Sequence, residues 1–367
     1  IAFQTALSAA LRLVDLAFPA KPPPRVPEPW WGDQAKHDTS IRRFTVHFSD
    51  EMIADLRYRI HNRRNLTQPL HNAGNTYGTH AGYLAHFLDY WTDGYDFGAR
   101  EEWLNSFPQS ITNIQGLDIH FIHAKAPNPH RKKVLPLLML HGFPVTAFEF
   151  VYVIQDLMEE RDDCDFVFEM IVPHLPGYGY SEATYKIGMA PYQMGIIMKN
   201  LMLRLGKPQF YIHAGDVGQA VGDAVAVLFP ERVLGLHTNF PFRFLKQRIY
   251  NLLIDGNLSA NYNMDDFYDS FTVHWACRSM TTAARSYAVA LAVHQDPLTP
   301  TPVPFAAIKF RHELVYQPDD FLRDKYPNLV QSNTLDFGGH FAGYQEPAVL
   351  ADSIRTSVAK MEQFHRN

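Results

Sequence analysis

The sequence has little cysteine and no convincing metal-binding motif. Cys164 and Cys277 are the two cysteines in 367 residues, too few for a disulfide framework and without the spacing of a zinc site. Two free thiols are the expectation, although a single bridge would also account for both. His312-Glu313 begins like a zinc-protease motif, but Tyr316 occupies the position of its second histidine. We therefore predict no metal centre.

Long apolar runs, concentrated positive charge and nucleotide-binding motifs are also missing. No run of about 18 apolar residues exists, so the sequence contains no complete membrane-spanning helix. The net charge is −5, and the most basic stretch, residues 57–64, fits the polar face of an amphipathic helix better than a nucleic-acid surface. Residues 177–179 (Gly-Tyr-Gly) lack the third glycine of a dinucleotide fingerprint, and no P-loop pattern occurs. We predict no cofactor and no nucleic-acid partner.

Apolar and aromatic residues are plentiful. They make up 46% and 13% of the chain, enough to bury the core of one large domain with insertions or of two modest ones. Residues 1–18 are mildly amphipathic and begin without methionine, which fits either the end of a longer N-terminal segment or an ordinary surface helix. Residues 19–29 contain six prolines and should run extended as a linker or strap.

Short strands and helices are predicted before residue 130. Alternating apolar and polar residues at 44–48 predict a strand, and Ser49 followed by two acids is typical of a helix start. Helical spacing returns at 81–91. Residues 111–114 and 117–123 flank Gln115-Gly116 as a hairpin does.

From residue 134 the pattern changes to buried strands alternating with helices. Nearly continuous apolar runs at 134–140, 166–172 and 209–213 are typical of parallel strands buried on both faces. Helical patterns at 148–157 and 191–205 separate them, so we predict an open α/β sheet. Residues 241–300 break the alternation as a lid would. Strand-like runs at 308–316 and 330–337 and a helix at 347–364 then complete the core.

Asp216 stands at the apex of a strand–turn–helix pattern, where many hydrolases carry a nucleophilic serine. A carboxylate nucleophile forms an ester with carbon, which suits opening an epoxide or displacing a halide. Alone, Asp216 could be an ordinary turn former and His340 an ordinary core histidine. The chain order Asp216, Glu313, His340 is nevertheless that of a hydrolase triad. Because ligands bind beyond the carboxyl ends of parallel strands, we expect the loops carrying Phe143, Gly177 and Asp216 to converge.

These motifs resemble the microsomal epoxide hydrolase family, and within it the insect juvenile hormone epoxide hydrolases. The resemblance covers nearly the whole chain. The segments that carry it are His-Gly-Phe-Pro at 141–144, Gly-Tyr-Gly-Tyr-Ser at 177–181, Gly-Asp-x-Gly at 215–218, Glu-Leu-Val-Tyr-Gln-Pro at 313–318, Gly-Gly-His-Phe-Ala at 338–342, and Trp-Trp-Gly at 30–32.

The resemblance implies an α/β-hydrolase core with a mostly parallel sheet, a helical lid and an N-terminal strap and helical domain. The implied segments are 1–29 (helix and strap, a possible anchor remnant), 30–130 (N-terminal epoxide-hydrolase-type domain), 131–240 (first part of the core), 241–304 (a shortened lid) and 305–367 (second part of the core). The resemblance also implies a location at the cytosolic face of the endoplasmic reticulum or microsomal membrane, with attachment through the N-terminus.

The implied reaction converts a lipophilic epoxide to a diol. The substrate would be juvenile hormone or its acid, or a related terpenoid or xenobiotic epoxide in detoxification. In this assignment Asp216 is the nucleophile, His340 the general base and Glu313 the residue that orients it. Tyr287 hydrogen-bonds the epoxide oxygen. The backbone N–H groups of Phe143 and Val217 form the oxyanion hole, and Pro144 is cis.

Three features depart from the family pattern. Ala214, two residues before the nucleophile, replaces a glycine, which would tighten the turn. Val217 follows the nucleophile where the family has tryptophan, which removes an aromatic N–H donor and disfavours dehalogenation. Asp216 and Glu313 are only 97 positions apart, and the second lid tyrosine is not recognisable. Tyr262 lies near this gap without a supporting motif. Either half the lid is lost or a stretch is omitted from the chain, and the alternative function is a weakened or inactive relative that binds lipophilic epoxides or hormones.

Overall fold

The computed structural model describes residues 22–33, 38–72, 74, 79–127, 130–241, 263–292 and 299–366. Residues 1–18 and Tyr262, both considered in the sequence, lie outside these ranges. Within the described ranges, every helix is too short or too polar to cross a bilayer. Cys164 and Cys277 are free thiols, as expected.

One nine-stranded sheet organises the described residues, in the order β1-β2-β3-β5-β4-β6-β7-β8-β9. The strands are β1 (Arg42–Arg43), β2 (Gln109–Ile114), β3 (Leu117–Lys125), β4 (Lys133–Leu140), β5 (Phe166–Pro173), β6 (Phe210–Ala214), β7 (Val233–Thr238), β8 (Phe305–Lys309) and β9 (Leu329–Thr334). Pairings from β1 to β5 are antiparallel, and those from β5 through β9 are parallel. The predicted hairpin and mostly parallel α/β sheet are confirmed.

Helices connect these strands. They are α1 (Asp50–His61), α2 (Ala81–Asp89), α3 (Phe97–Asn105), α4 (Val151–Met158), α5 (Pro191–Arg204), α6 (Asp216–Leu228), α7 (Met264–Cys277), α8 (Met280–Ala292), α9 (Asp319–Lys325), α10 (Ala342–Gln345) and α11 (Pro347–Arg366). A π-helical turn (Tyr90–Gly94) extends α2, and a 3₁₀ turn (Ala147–Phe150) precedes α4. Ser49 caps α1 as predicted, because its side chain accepts a hydrogen bond from the N–H of Met52.

The central strands are buried on both faces. All eight residues of β5 are buried, and alternate residues of β4 enter two different apolar cores: Leu137 and Met139 belong to one, Leu138 and Leu140 to the other. Because side chains alternate across a strand, these cores cover opposite faces of the sheet. The continuous apolar runs in the sequence reflect this double burial.

The predicted strand at 44–48 is wrong. Only Arg42–Arg43 pairs with β2, and beyond it the backbone is held largely by side chains of the α3 segment. Asn105 accepts from the N–H of Val46, and the Glu101 carboxylate accepts from the N–H of Phe48. The alternating burial is real, but after Phe44, whose N–H donates to the Gln109 carbonyl of β2 over 3.0 Å, the N–H groups of Val46 and Phe48 donate to side chains rather than to a strand.

The strand predicted at 308–316 is misplaced, because β8 spans Phe305–Lys309 and only its last two residues lie in the predicted range. β8 ends at Lys309, and the chain then turns, with the N–H of Glu313 donating to the carbonyl of Phe310 over 3.3 Å. Glu313 therefore lies in a loop beyond the carboxyl end of β8, where a ligand-facing residue of an α/β sheet is expected. The run at 330–337 shortens similarly to Leu329–Thr334.

A buried polar cluster fixes the lid helix α7 to the N-terminal helices. The Arg100 guanidinium of α3 donates to Asp266 and Asp269 of α7 over 2.6 and 2.5 Å. Tyr95 donates to Asp269 over 2.8 Å. The ring of Tyr268 in α7 packs against the rings of Tyr90 and Tyr95. The described part of the lid is thus attached to the residues before the core.

Candidate active site

Asp216 begins α6 directly after β6, on a strained elbow. Its φ of 45° lies in the left-handed region, which is unfavourable for a non-glycine residue and concentrates at functional sites. Glycines allow the elbow to pack against the end of β4. A Cβ on Gly218 would come within 2.2 Å of the Leu140 carbonyl oxygen, and one on Gly142 within 2.4 Å of the Asp216 Cβ. The predicted strand–turn–helix context is confirmed.

Two groups hold the Asp216 carboxylate from different sides. Its Oδ1 accepts a 2.9 Å hydrogen bond from the N–H of Phe143, and its Oδ2 lies 3.5 Å from Nε2 of His340. The side chain is buried, with a residue exposure of 8%. The peptide bond before Pro144 is cis, as predicted. The loops carrying Phe143 and Asp216 therefore meet as expected.

Val217 stands in the first turn of α6, where N–H groups have no partner within the helix. No hydrogen bond between this N–H and the Asp216 carboxylate is found among the described residues, so only Phe143 of the two predicted donors contacts it here. The Val217 side chain is buried in the apolar core.

Glu313 and His340 form a close pair. Oε1 of Glu313 lies 2.6 Å from Nδ1 of His340 and also accepts from the N–H of Leu314 over 2.6 Å. A proton on Nδ1 shared with Glu313 leaves Nε2 as the atom directed at Asp216. Burial by itself would lower the pKa of His340, but the charges of Glu313 and Asp216 raise it well above its usual value. The two neighbouring carboxylates thus favour the positively charged form of the ring.

Tyr287 projects from α8 towards the loop that carries Phe143. The two rings stack with centroids 5.0 Å apart. Burial, and secondly the charge of Asp216, raise the pKa of Tyr287 to about 12, so the phenol is a neutral hydrogen-bond donor at physiological pH. Thr282 of the same helix donates to the carbonyl of Gly177 over 2.5 Å. That bond ties the 177–179 loop, whose Tyr178 packs on His141, to the lid.

A small cavity of about 10 Å³ is lined by Asp216 and His340, with Glu149, Asn239 and Phe341 in its wall. This is far below the roughly 300–1,000 Å³ of a typical ligand pocket, so the cavity has room for about one water molecule rather than for a lipophilic molecule. Glu149 was missed in the sequence. The available signal was a single acid inside the apolar stretch 147–154.

Similarity to known proteins agrees with this geometry. The family model "Epoxide hydrolase N terminus" matches residues 41–150. Juvenile hormone epoxide hydrolase from Manduca sexta is 37% identical, with 93% of this chain and 92% of the relative covered. The chain belongs to the epoxide hydrolase family. Epoxide hydrolase 1 from Oryctolagus cuniculus is 31% identical over 91% of this chain and 93% of the relative.

Solved structures of epoxide hydrolases share this architecture. The crystal structure of juvenile hormone epoxide hydrolase from the silkworm Bombyx mori superimposes with a TM-score of 0.86 at 29% identity, over 92% of this chain and 99% of that one. The Aspergillus niger epoxide hydrolase structure has a TM-score of 0.75 at 22% identity over 90% of this chain and 98% of that one, which shows the common fold. The predicted α/β-hydrolase fold and epoxide hydrolase activity are confirmed.

This epoxide hydrolase lacks counterparts for part of its relative. The Manduca sexta alignment spans 430 positions, while 93% of 367 residues is about 341, so about 89 positions lie opposite gaps in this chain. A shortened lid would produce such a difference. The segment near residues 257–262 lies outside the described ranges, so the shortened lid stays a prediction.

Proposed function

We propose that this epoxide hydrolase opens a lipophilic epoxide by forming an ester on Asp216 and then hydrolysing it. The observation that carries the proposal is that the two oxygens of the Asp216 carboxylate have different partners: Oδ1 accepts from the N–H of Phe143, while Oδ2 lies 3.5 Å from Nε2 of His340 beside the cavity that both residues line. Oδ2 is therefore the attacking oxygen, and Oδ1 becomes the ester carbonyl oxygen in the oxyanion hole.

In the first step the Asp216 carboxylate attacks an epoxide carbon and the C–O bond of the ring breaks. The ring oxygen leaves as an alkoxide and takes a proton from the neutral Tyr287 hydroxyl. Tyrosinate, formed near a buried imidazolium, regains its proton from His340 directly or through solvent. A phenol donor lowers the barrier because negative charge develops on the oxygen as the ring opens.

Ester formation prepares the second step. It removes the Asp216 charge, one of the two charges that raise the pKa of His340, so the imidazolium becomes a better proton donor and then a neutral base. Nε2 takes a proton from water, hydroxide attacks the ester carbonyl carbon, and the N–H of Phe143 stabilises the oxyanion, with Val217 as the proposed second donor. Collapse breaks the ester bond, and the new carboxyl passes its proton to the departing alkoxide, which gives the diol.

We propose juvenile hormone, its acid or a related terpenoid epoxide as substrate, with lipophilic xenobiotic epoxides as the alternative. The proposal is supported by relatives named juvenile hormone epoxide hydrolase in Manduca sexta at 37% identity and Bombyx mori at 30% identity. Phe143, Phe341 and Tyr287 add aromatic surface around the cavity. Competition between tritiated juvenile hormone and styrene oxide, measured as relative kcat/KM, separates the alternatives.

Diol formation from tritiated juvenile hormone is the direct test. The wild-type protein should give diol, and acid-quenched protein should carry a mass increase equal to one epoxide. The second candidate, a weakened or inactive binder, is favoured by the roughly 89 aligned positions that have no counterpart here. Stoichiometric retention of unchanged epoxide with neither diol nor adduct would establish the binder and reject the enzyme mechanism.

We further propose attachment to the cytosolic face of the endoplasmic reticulum membrane through the N-terminus. It is supported by the mildly amphipathic stretch 1–18. In the extended chain that follows, Glu28 accepts from Nζ of Lys199 over 2.9 Å, which holds the strap on the core. Expression of the chain from residue 22 should move the protein from the membrane fraction to the supernatant. Equal membrane association of both forms would contradict attachment through this segment.

A further inference from the structure

Glu149 is a buried acid beside the reacting groups that the mechanism above does not use. It lies in the 3₁₀ turn Ala147–Phe150, immediately after the loop that carries Phe143. Phe148 and Phe150 on either side are buried in the apolar core, and Glu149 itself is 6% exposed. Its side chain nevertheless lines the cavity shared by Asp216 and His340. A carboxyl placed among apolar neighbours is unfavourable unless it is neutral or hydrogen-bonded.

The surroundings keep Glu149 protonated at neutral pH. Burial is the main cause that raises its pKa to about 8, and the charges of Asp216 and Glu313 act in the same direction. His340 and the N–H of Gly142 act in the opposite direction. A protonated carboxyl keeps a carbonyl oxygen that accepts hydrogen bonds and an O–H that donates them. Glu149 can therefore bind a neutral polar molecule in the cavity without adding a further negative charge.

The side chain is also held in place from behind. A Cβ on Gly343 of α10 would approach the Glu149 carbonyl oxygen to 2.6 Å and its Cγ to 2.9 Å. Such close contact leaves the stem little room to rotate away from the cavity. α10 begins two residues after His340, so the same short segment carries the base and confines Glu149.

The cavity has room for the water molecule from which His340 would remove a proton. A buried water needs two to four polar partners, and in the second step one of them must be Nε2 of His340. Phe143 offers its N–H to the Asp216 oxygen and is already used. Glu149 supplies a further polar group at the wall of this cavity whose carbonyl oxygen can accept the second water proton while the first points at His340.

We propose that Glu149 is a positioning residue that holds the hydrolytic water against His340 while the Asp216 ester is cleaved. The inference rests on the proposed function. The water O–H bond breaks, its proton goes to Nε2 of His340, and the oxygen bonds to the Asp216 carboxyl carbon. The ester C–O bond then breaks as before. Glu149 keeps its own proton throughout. Its hydrogen bond orients the water so that an oxygen lone pair points at the ester carbon.

The two half-reactions separate this role from a structural one. kcat/KM reports events up to ester formation, whereas slow ester hydrolysis limits kcat and makes the adduct accumulate. Glu149→Leu removes the hydrogen-bonding atoms at similar volume, and Glu149→Gln keeps a neutral carbonyl acceptor. Glu346→Gln is the matched control, because Glu346, six positions after His340, is a half-buried acid whose pKa burial also raises but which is not among the residues that line the cavity. His340→Gln marks complete failure of hydrolysis.

Juvenile hormone is mixed with each variant, and adduct and diol are followed by rapid acid quench and intact mass. We expect Glu149→Leu to lower kcat about 10- to 100-fold with accumulated adduct and kcat/KM nearly unchanged. Glu149→Gln should stay within about threefold of wild type because it is an isosteric neutral acceptor. Glu346→Gln should match wild type.

A fall of kcat and kcat/KM by the same factor in Glu149→Leu would overturn the inference, because it would indicate a displaced nucleophile or oxyanion loop. Wild-type rates of ester hydrolysis in that variant would also overturn it. Absence of any adduct or diol in the wild-type protein and of any adduct in His340→Gln would instead reject the proposed function itself.

Discussion

Oε1 of Glu313 lies 2.6 Å from Nδ1 of His340, while Nε2 of the same ring lies 3.5 Å from Oδ2 of Asp216. One imidazole is thus placed between two carboxylates from distant parts of the chain. The positive form of the ring is stabilised in the resting site, and its pKa becomes sensitive to whatever happens to the charge of Asp216. In the proposed mechanism, ester formation on Asp216 would therefore lower the pKa of His340 and favour its neutral, basic form.

The free energy of unfolding should depend on pH through the titration of His340. Its folded-state pKa is raised above the unfolded value of about 6.5. The stabilisation is therefore fully present below about pH 6.5 and is lost as pH rises through the folded pKa. Urea unfolding from pH 6 to 9 should show the wild-type advantage over His340→Gln shrinking with pH. Two parallel stability curves would contradict a raised pKa.

Glu313→Gln should move that loss of stability to lower pH. The substitution keeps the volume and a carbonyl acceptor for Nδ1 but removes one of the two charges that favour the imidazolium. The same urea titration measures the shift directly. A curve identical to wild type would assign the raised pKa to Asp216 alone.

Tyr287→Phe should slow ester formation about 100-fold, because a neutral phenol no longer protonates the developing alkoxide. Ester hydrolysis should be unchanged, so the adduct should not accumulate. Tyr180→Phe is a suitable control: Tyr180 is half-buried, as Tyr287 is, but the groups that affect its pKa besides burial are Cys277, Glu101 and Asp269 rather than Asp216. Equal effects of the two substitutions on quenched-flow rates would argue against a chemical role for Tyr287.

Asp216→Asn should abolish turnover, by about 10⁴-fold, while the protein stays folded. Asparagine tolerates the left-handed φ of 45° better than alanine does. Asp223→Asn is the control, since Asp223 is a buried acid of the same helix that pairs with Lys325 over 3.1 Å. It should lower the melting temperature yet keep turnover per folded molecule. Wild-type diol formation by Asp216→Asn would exclude the ester mechanism.

The sequence was most informative where one local rule determined the structure. The buried strand β4, the cap at Ser49 and the elbow at Asp216 each follow from spacing or from a single turn, and all three are confirmed. The chain order of Asp216, Glu313 and His340 predicted that the three side chains lie together, and the parallel sheet places them in contact.

The sequence failed where side chains from remote segments replaced local partners. Residues 44–48 alternate like a strand, yet Asn105 and Glu101 take the hydrogen bonds that a neighbouring strand would have made. Glu149 could not be assigned to the site from local spacing, because its environment comes from Asp216 and His340, which are 67 and 191 positions away. Burial and charge at such a position depend on tertiary contacts alone.

Arg100→Met should destabilise the protein by about 3–5 kcal/mol, because it leaves Asp266 and Asp269 buried without their cation. The side chains are 12%, 5% and 3% exposed, and burial already raises the pKa of Asp269 to about 6 despite Arg100. Without the guanidinium both carboxyls should protonate more readily, so the deficit should be largest at alkaline pH and shrink below about pH 6.

Arg366→Met provides the matched comparison, since Arg366 of α11 pairs with Asp165 at the surface and its loss should hardly change the free energy of unfolding. Hydrogen exchange followed by mass spectrometry should show lost protection in α7 for Arg100→Met and not for Arg366→Met. Because Arg100 and α7 are joined through buried charges, equal exchange in both variants would mean that the aromatic contacts around Tyr268 hold the lid helix without them.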